Sequence, residues 1–287
     1  MSTALVTDST AYLPADLLAE LGVHVVPLHV VVGGQEHAEG VDIDAAAVAA
    51  ALREFRPVST SRPAPAAFLE AYEEAAEGGA DAVVSVHISG DMSSTVGGAQ
   101  LAAAESPVPV TVVDSRAMGM AMGYAVLAGA RLAAGGASAE VVADAVRSTC
   151  AAATVVFYVD TLEYLRRGGR IGKAGALLGS ALAIKPILGL RDGHIVPLER
   201  VRTSTRAIAR LEELAVEAAT SLPEGADGVD VAVHHLDSPE RAERLAERLR
   251  ARLGEGVEVR VVELGAVVGA HVGPGTLAVA VVPRLAR

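Results

Sequence analysis

The sequence predicts an α/β protein of two α/β domains, the first built on a mainly parallel sheet and the second on a mixed one. Three observations carry that prediction. Through the first half, short apolar runs alternate with helical stretches, the pattern of strand–crossover–strand units. Those runs, residues 82–88 and 110–113 among them, lack period-two alternation, as expected of strands covered on both faces. In the second half, two apolar runs flank Arg191-Asp192-Gly193-His194, an Asp-Gly hairpin signal that introduces antiparallel pairing.

Residues 4–7 read as the first strand, followed by Asp8-Ser9-Thr10 and a helix over 14–21, whose Pro14 suits a first helical turn. A strand over 24–32 ends at the turn Gly33-Gly34. Asp44 is the expected N-cap of a helix over 45–55. Ser59-Thr60-Ser61-Arg62-Pro63 reads as a polar loop before a helix ending at Glu77. Strand 82–88 passes through the polar residues 89–95 into a helix to Glu105. Strand 110–113 ends at Asp114-Ser115, and helices over 119–134 and 139–152 complete the half. The domain boundary falls at 150/151, giving domains 1–150 and 151–287. The second domain opens with a strand over 154–159 and a short helix over 161–167, stopped by Gly168-Gly169. A helix over 174–182, the hairpin 185–201, a helix over 204–221 and a strand over 230–236 follow. Ser238 and Pro239 fit the N-cap and first turn of a helix to Leu253. Strands over 257–264 and 277–283 flank a glycine-rich loop that closes the chain.

Composition excludes several function classes. The chain of 287 residues is 51% hydrophobic but only 3% aromatic and has no Trp, so Val, Leu, Ala and Ile must build the core. A net charge of −11 without a basic tract argues against nucleic-acid binding. The single Cys150 excludes an internal disulfide framework and a cysteine metal cluster. No basic segment followed by an apolar core opens the sequence, and the longest apolar run, residues 117–130, is too short to span a bilayer. A cytoplasmic location is the expectation.

In open parallel sheets, ligands gather at the carboxyl ends of the strands. Three polar loops leave predicted strands there: residues 8–10, 89–95 and 114–115. Asp8 fits a strand-end turn, or a general base or metal ligand. Ser93, Ser94 and Thr95 open a helix, where hydroxyls cap the backbone and an anion finds free N–H groups. Thr60 and Ser61 fit turn chemistry or ligand contact. Gly265, Gly269, Gly273 and Gly275 surround His271, a density that points to tight turns or to backbone approaching a ligand. The remaining histidines lack metal-ligand spacing, and neither a P-loop nor a Gly-x-Ser-x-Gly elbow is present. Hydroxyls (Thr60, Ser93) and one imidazole in an aliphatic surround can donate hydrogen bonds to a carboxylate. That chemistry suits holding an acid more than converting one.

With those residues in view, the sequence resembles the DegV family of bacterial fatty-acid-binding proteins. The matching segments are Thr7-Asp8-Ser9-Thr10, Thr60-Ser61-Arg62-Pro63, Ile88-Ser89-Gly90-Asp91-Met92-Ser93-Ser94-Thr95 and Asp114-Ser115. In the second half they are Thr161-Leu162-Glu163-Tyr164-Leu165-Arg166-Arg167-Gly168-Gly169-Arg170-Ile171, Ala183-Ile184-Lys185-Pro186-Ile187-Leu188 and Gly269-Ala270-His271-Val272-Gly273-Pro274-Gly275. The resemblance implies a long-chain fatty acid buried between the two domains, its carboxylate held by Thr60, Ser93 and His271. Ser61, Ser94, Thr95, Gly269 and Gly273 would belong to the supporting head-group loops. Arg170 and Arg202 would lie near the mouth and engage a partner. That partner is a separate fatty acid kinase catalytic subunit, which phosphorylates the presented acid for phospholipid synthesis. The chain itself would be a carrier, not an enzyme. No cofactor or metal is implied, and transient contact with a membrane surface is allowed for. Two departures stand out: Met92-Ser93-Ser94-Thr95 replaces the usual Leu-Ser-Gly-Thr, and Arg170-Ile171-Gly172 the usual Arg-Ile-Ser. The rival readings are a serine-dependent lipid hydrolase or acyltransferase using Ser93 and His271, with Asp8 as third group, and a structural or regulatory module whose glycine stretch is only a turn.

Overall fold

The computed structural model describes residues 2–177 and 184–285. Strand β1 (Thr3–Asp8) turns through a single 3-10 turn into α1 (Ala15–Leu21) and β2 (His24–Val26). Next come β3 (His29–Val32), β4 (Gln35–Ala38), α2 (Ala45–Arg53) and β5 (Val58–Ser61). Then follow α3 (Pro65–Glu77), β6 (Ala82–His87), α4 (Thr95–Ala103), β7 (Val110–Asp114), α5 (Met120–Ala134) and α6 (Ala139–Ala152). The remainder runs β8 (Thr154–Tyr158), α7 (Glu163–Arg167), a 3-10 segment at Gly172–Leu177, β9 (Lys185–Arg191), β10 (His194–Val201) and α8 (Ser204–Thr220). It ends with β11 (Ala226–His235), α9 (Pro239–Leu253), β12 (Glu258–Glu263), α10 (Ala266–Val272) and β13 (Leu277–Leu285).

The chain divides into two compact units. The first joins Met1–His29 to Ser61–Ala151. Its sheet has four parallel strands in the order β2-β1-β6-β7. β1 and β6 are buried along nearly their whole length, which explains their unalternating apolar sequence. Phe68, Ala71, Tyr72 and Ala75 of α3 pack with Val6, Val26, Val83 and Ala99 in one core cluster. Helices α5 and α6 press together at Gly129, where a Cβ would lie 2.8 Å from Val146.

The second unit joins Val30–Thr60 to Ala152–Arg287. Its six-stranded mixed sheet has the order β10-β9-β8-β13-β11-β12, antiparallel except for the parallel β11–β12 pair. Two amphipathic helices share its core. The buried residues of α8 (Ala207, Leu211, Ala215, Ala219) and of α9 (Ala242, Leu245, Ala246, Leu249) recur at helical spacing. A small sheet in the order β4-β3-β5 holds the remaining strands of the described residues.

The division differs from one cut at 150/151. Its late boundary falls at Ala151/Ala152, but Val30–Thr60 leaves the sequence of the first unit and joins the second. Three contacts account for that: α2 packs on α10, Arg53 pairs with Asp237, and Glu39 Oε1 accepts a hydrogen bond from Val267 N at 2.8 Å. The expected strand over 24–32 is accordingly broken, since β2 and β3 lie in different sheets. Pro27 between them has no N–H for a ladder, and Leu28 N turns instead to Ser9 Oγ at 3.1 Å. The expected loop at 59–63 is partly the strand β5. The expected loop after β12 is the helix α10. Of the helix expected over 174–182, the described part is the 3-10 segment, and residues 178–182 lie outside the described residues, as does Ala183 of the family-like segment. Ser238 sits at the N-cap of α9 without making a side-chain capping bond.

Candidate functional site

In the first unit the loops after the parallel strands are organised by Asp8. Its carboxylate is fully buried. Oδ1 accepts from Thr10 N at 3.0 Å and from the Thr10 hydroxyl. Oδ2 accepts from Ile88 N at 2.9 Å and faces His87 Nδ1 at 3.1 Å. His87 Nε2 lies 2.7 Å from Ser85 Oγ, which in turn accepts from the Tyr72 hydroxyl at 2.9 Å. Asp8 therefore fixes the turns after β1 and β6, the strand-end role, and is not an exposed general base. The third loop joins in, because Gly90 N donates to Asp114 Oδ1 at 3.1 Å and Ser89 N to Ala117 O at 2.9 Å.

This frame carries the Ser93 loop. Met92 N and Ser93 N both donate to Ser89 O, a tight turn that delivers Ser93 to the start of α4. Ser93 Oγ pairs with Thr95 Oγ1 at 2.7 Å. Ser94 is exposed at the N-cap position, makes no capping bond and has φ −77°, so this position makes no conformational demand for the glycine usual in the family.

In the second unit, Thr60 on β5 and His271 in the last turn of α10 meet: Thr60 Oγ1 lies 2.9 Å from His271 Nε2. Burial, reinforced by the charge of Arg170, holds the imidazole down to about 4, so it is neutral at pH 7. Its Nδ1 is buried without a hydrogen-bond partner among the described residues. That nitrogen faces Gly168, where a Cβ would lie 2.0 Å away. These facts assign the tautomer. A proton on Nδ1 would be a buried donor with no acceptor, the costlier kind of unsatisfied group. We therefore place the proton on Nε2, donated to Thr60 Oγ1. The Thr60 hydroxyl proton then remains available to a further acceptor.

The glycines around His271 serve packing. Gly269 lies against Leu236, with a Cβ position 3.2 Å from its methyl carbons. Gly273 has φ +78°, and a Cβ there would fall 2.1 Å from the Tyr164 ring. Gly275 has φ +86°, and its Cβ would fall 2.0 Å from Asp160 Oδ2. Asp160 is itself held by the Tyr158 hydroxyl and by Lys185, whose Nζ donates to the Asp160 carbonyl at 3.0 Å. Arg241 closes the support by donating to Gly275 O at 3.1 Å. Gly269 and Gly273 thus let α10 and its exit lie close to Leu236, just past β11, and to α7.

Thr60 and His271 come together within one unit, and Arg170 is near enough for its charge to act on the imidazole. Arg170 is exposed and donates to Gly168 O at 2.7 Å; Arg202, just past β10, is also exposed. Ser61, Ser93, Ser94 and Thr95 belong to the first unit. The rival nucleophile–base arrangement is not what these contacts form. The hydroxyl bonded to His271 is that of Thr60, no carboxylate among the described residues orients Nδ1, and Asp8 faces His87 instead. Three contributors are not among the residues the sequence singles out for a functional role: Gly168, a helix stop by its position, the His87–Ser85–Tyr72 chain, and Glu39. Ser85 and His87 did leave a signal, two polar residues at period two inside an apolar strand.

A family model described as "Uncharacterised protein, DegV family" matches residues 2–284. The chain belongs to the DegV family. A DegV domain-containing protein of Streptomyces coelicolor is 51% identical over 281 residues, covering 98% of each chain. Among solved structures, a DegV family protein from Thermus thermophilus, described as fatty acid binding, superposes with a TM-score of 0.91 at 38% identity, covering 99% of this chain and 100% of the other. DegV from Bacillus subtilis, described as a fatty acid binding protein, gives a TM-score of 0.89 at 32% identity over 99% of each. The DegV fold is thus shared across the whole length, mixed sheet included.

Proposed function

We propose that this chain binds a long-chain fatty acid through its carboxylate, using Thr60, His271 and Ser93, and presents it to a separate fatty acid kinase. The observation that carries the reading is the Thr60–His271 pair. A neutral imidazole that donates to a hydroxyl leaves that hydroxyl as a donor, the polarity an anionic oxygen needs. The same pair is poorly suited to nucleophilic catalysis, because a base held to about 4 is mismatched to proton abstraction at neutral pH. Relatives that share the fold at 38% and 32% identity are described as fatty acid binding, which supports the ligand class.

Tail and head group divide the work. Burial contributes roughly 0.8 kcal/mol per CH2, so a sixteen-carbon tail offers on the order of 11 kcal/mol before ordering costs. The tail therefore dominates affinity and the polar groups set orientation. Kinase engagement is supported by charge. Between residues 163 and 210 the chain has ten Lys and Arg against three Asp and Glu, although its net charge is −11. Arg170 and Arg202 lie in this segment, which suits an acidic protein surface or the acyl phosphate. The same charge would serve a brief contact with an anionic membrane surface during loading.

Lipid extraction from the purified protein, with mass spectrometry, tests the ligand. One fatty acid per chain is expected; no lipid, and no uptake of added hexadecanoate, contradicts the proposal. Phosphoryl transfer with a fatty acid kinase tests presentation: Ser93→Ala should slow transfer more than it weakens binding. Lost binding with normal transfer from bound lipid would reverse that division.

A further inference from the structure

We infer that Glu39 is a positioning residue for the Thr60–His271 pair, a conclusion that rests on reading this pair as the carboxylate holder. Residues 30–60 run from β3 to the strand that carries Thr60, and they touch α10 at both ends. At its last turn, Thr60 Oγ1 meets His271 Nε2 at 2.9 Å. At its first turn, Glu39 Oε1 accepts from Val267 N at 2.8 Å.

The helix needs that second contact. Its own N-cap residue is Gly265, which offers no side-chain acceptor, and its first turn holds no acidic residue. A cap normally comes from the adjoining sequence; here it comes from 228 positions away. Glu39 is only 6% exposed, and a carboxylate is buried at high cost unless it is bonded. A helix N-terminus repays it with N–H groups and positive potential. With seven residues, α10 has two turns, too few to set its own position without its ends being held. Val267 and His271 are four apart, one turn along the helix. A change at Glu39 therefore moves the imidazole against Thr60. Arg53 pairs with Asp237 and α2 packs on α10, which hold the same segment independently, and Glu39 is the side chain of that segment that bonds to the backbone of the helix's first turn.

The test compares wild type, Glu39→Ala and Glu39→Gln, reading the ring nitrogens of His271 by 15N NMR titration and hexadecanoate binding by calorimetry. In wild type, burial and the charge of Arg170 should place the imidazole titration at about 4. In Glu39→Ala it should move up toward 6.5, and binding should weaken about tenfold, the size of a lost cap. Glu39→Gln keeps the acceptor and should restore both to within about threefold. A folded Glu39→Ala protein with unchanged titration and binding overturns the inference, as does Glu39→Gln as impaired as Glu39→Ala. If Glu39→Ala does not fold, Glu39→Asp replaces it. Its shorter reach should raise the His271 titration while Glu39→Gln leaves it alone, and the opposite ranking overturns the inference. Failure of the carboxylate reading looks different: wild type would not bind hexadecanoate, or Thr60→Val would bind it normally, and the titration alone would still decide the role of Glu39.

Discussion

His271 links residue chemistry to stability. Its imidazole is held at about 4 in the folded chain against 6.5 ordinarily, so between those values the unfolded chain binds a proton that the folded chain refuses. Stability therefore rises with pH across the window, is fully present above 6.5, and falls by up to about 3 kcal/mol as pH drops toward 4. Buried His234, also held to about 4, acts in the same window, so the share of His271 is read by difference. Urea denaturation at neutral and acidic pH should show a smaller acid loss in His271→Asn than in wild type; equal losses would contradict the assignment. Thr60→Val keeps the branched shape but removes the acceptor from His271 Nε2 and the donor to the ligand. It should cost about 1–3 kcal/mol of stability and weaken hexadecanoate binding about tenfold, measured by denaturation and calorimetry. The residue types were legible in the sequence, because the proposed carboxylate contact calls for hydrogen-bond donors, the chemistry that singles out Thr60, Ser93 and His271. The protonation state was not, since it depends on burial and on Arg170, and the Thr60–His271 bond spans 211 positions.

At the scale of elements, helices α6 and α9 and the β9–β10 hairpin were readable from periodicity, caps and the Asp-Gly turn. The glycine stretch was not, because glycine count alone does not separate a turn from a close approach. What decides is Leu236, Tyr164 and Asp160, which lie far away in sequence and fill the space where side chains would stand. Gly168 provides the sharpest test. Its φ of −73° suits any residue, so Gly168→Ala acts only through the Cβ placed 2.0 Å from His271 Nδ1. It should destabilise by about 1–3 kcal/mol and displace the imidazole. Gly97→Ala in α4, with open space around the Cβ, should instead be neutral or stabilise by about 0.5–1 kcal/mol. Thermal melting of the two variants side by side checks both signs.

At the scale of the whole molecule, chain order and spatial grouping diverge. Alternating strands and helices account for a parallel and a mixed sheet, and Ala152 is where the chain enters the second unit for good. An earlier excursion, Val30–Thr60, carries no composition change, and only its packing on α10 reveals where it belongs. That excursion brings Thr60 to His271, so the fold's least sequence-like feature builds the proposed site. Charge segregation acts at the same scale. Replacing Arg202 by Glu should impair phosphoryl transfer by the proposed kinase and its salt dependence while leaving hexadecanoate binding within about twofold; equal loss of both would remove this residue from partner contact. The central claim is that a fatty-acid carboxylate is held at Thr60 and His271. It is tested most directly by 13C NMR of carboxyl-labelled hexadecanoate added to wild type and to Thr60→Val. The account predicts one bound carboxylate resonance, distinct from free acid, that moves in the variant; no bound resonance, or one that Thr60→Val leaves in place, would contradict it.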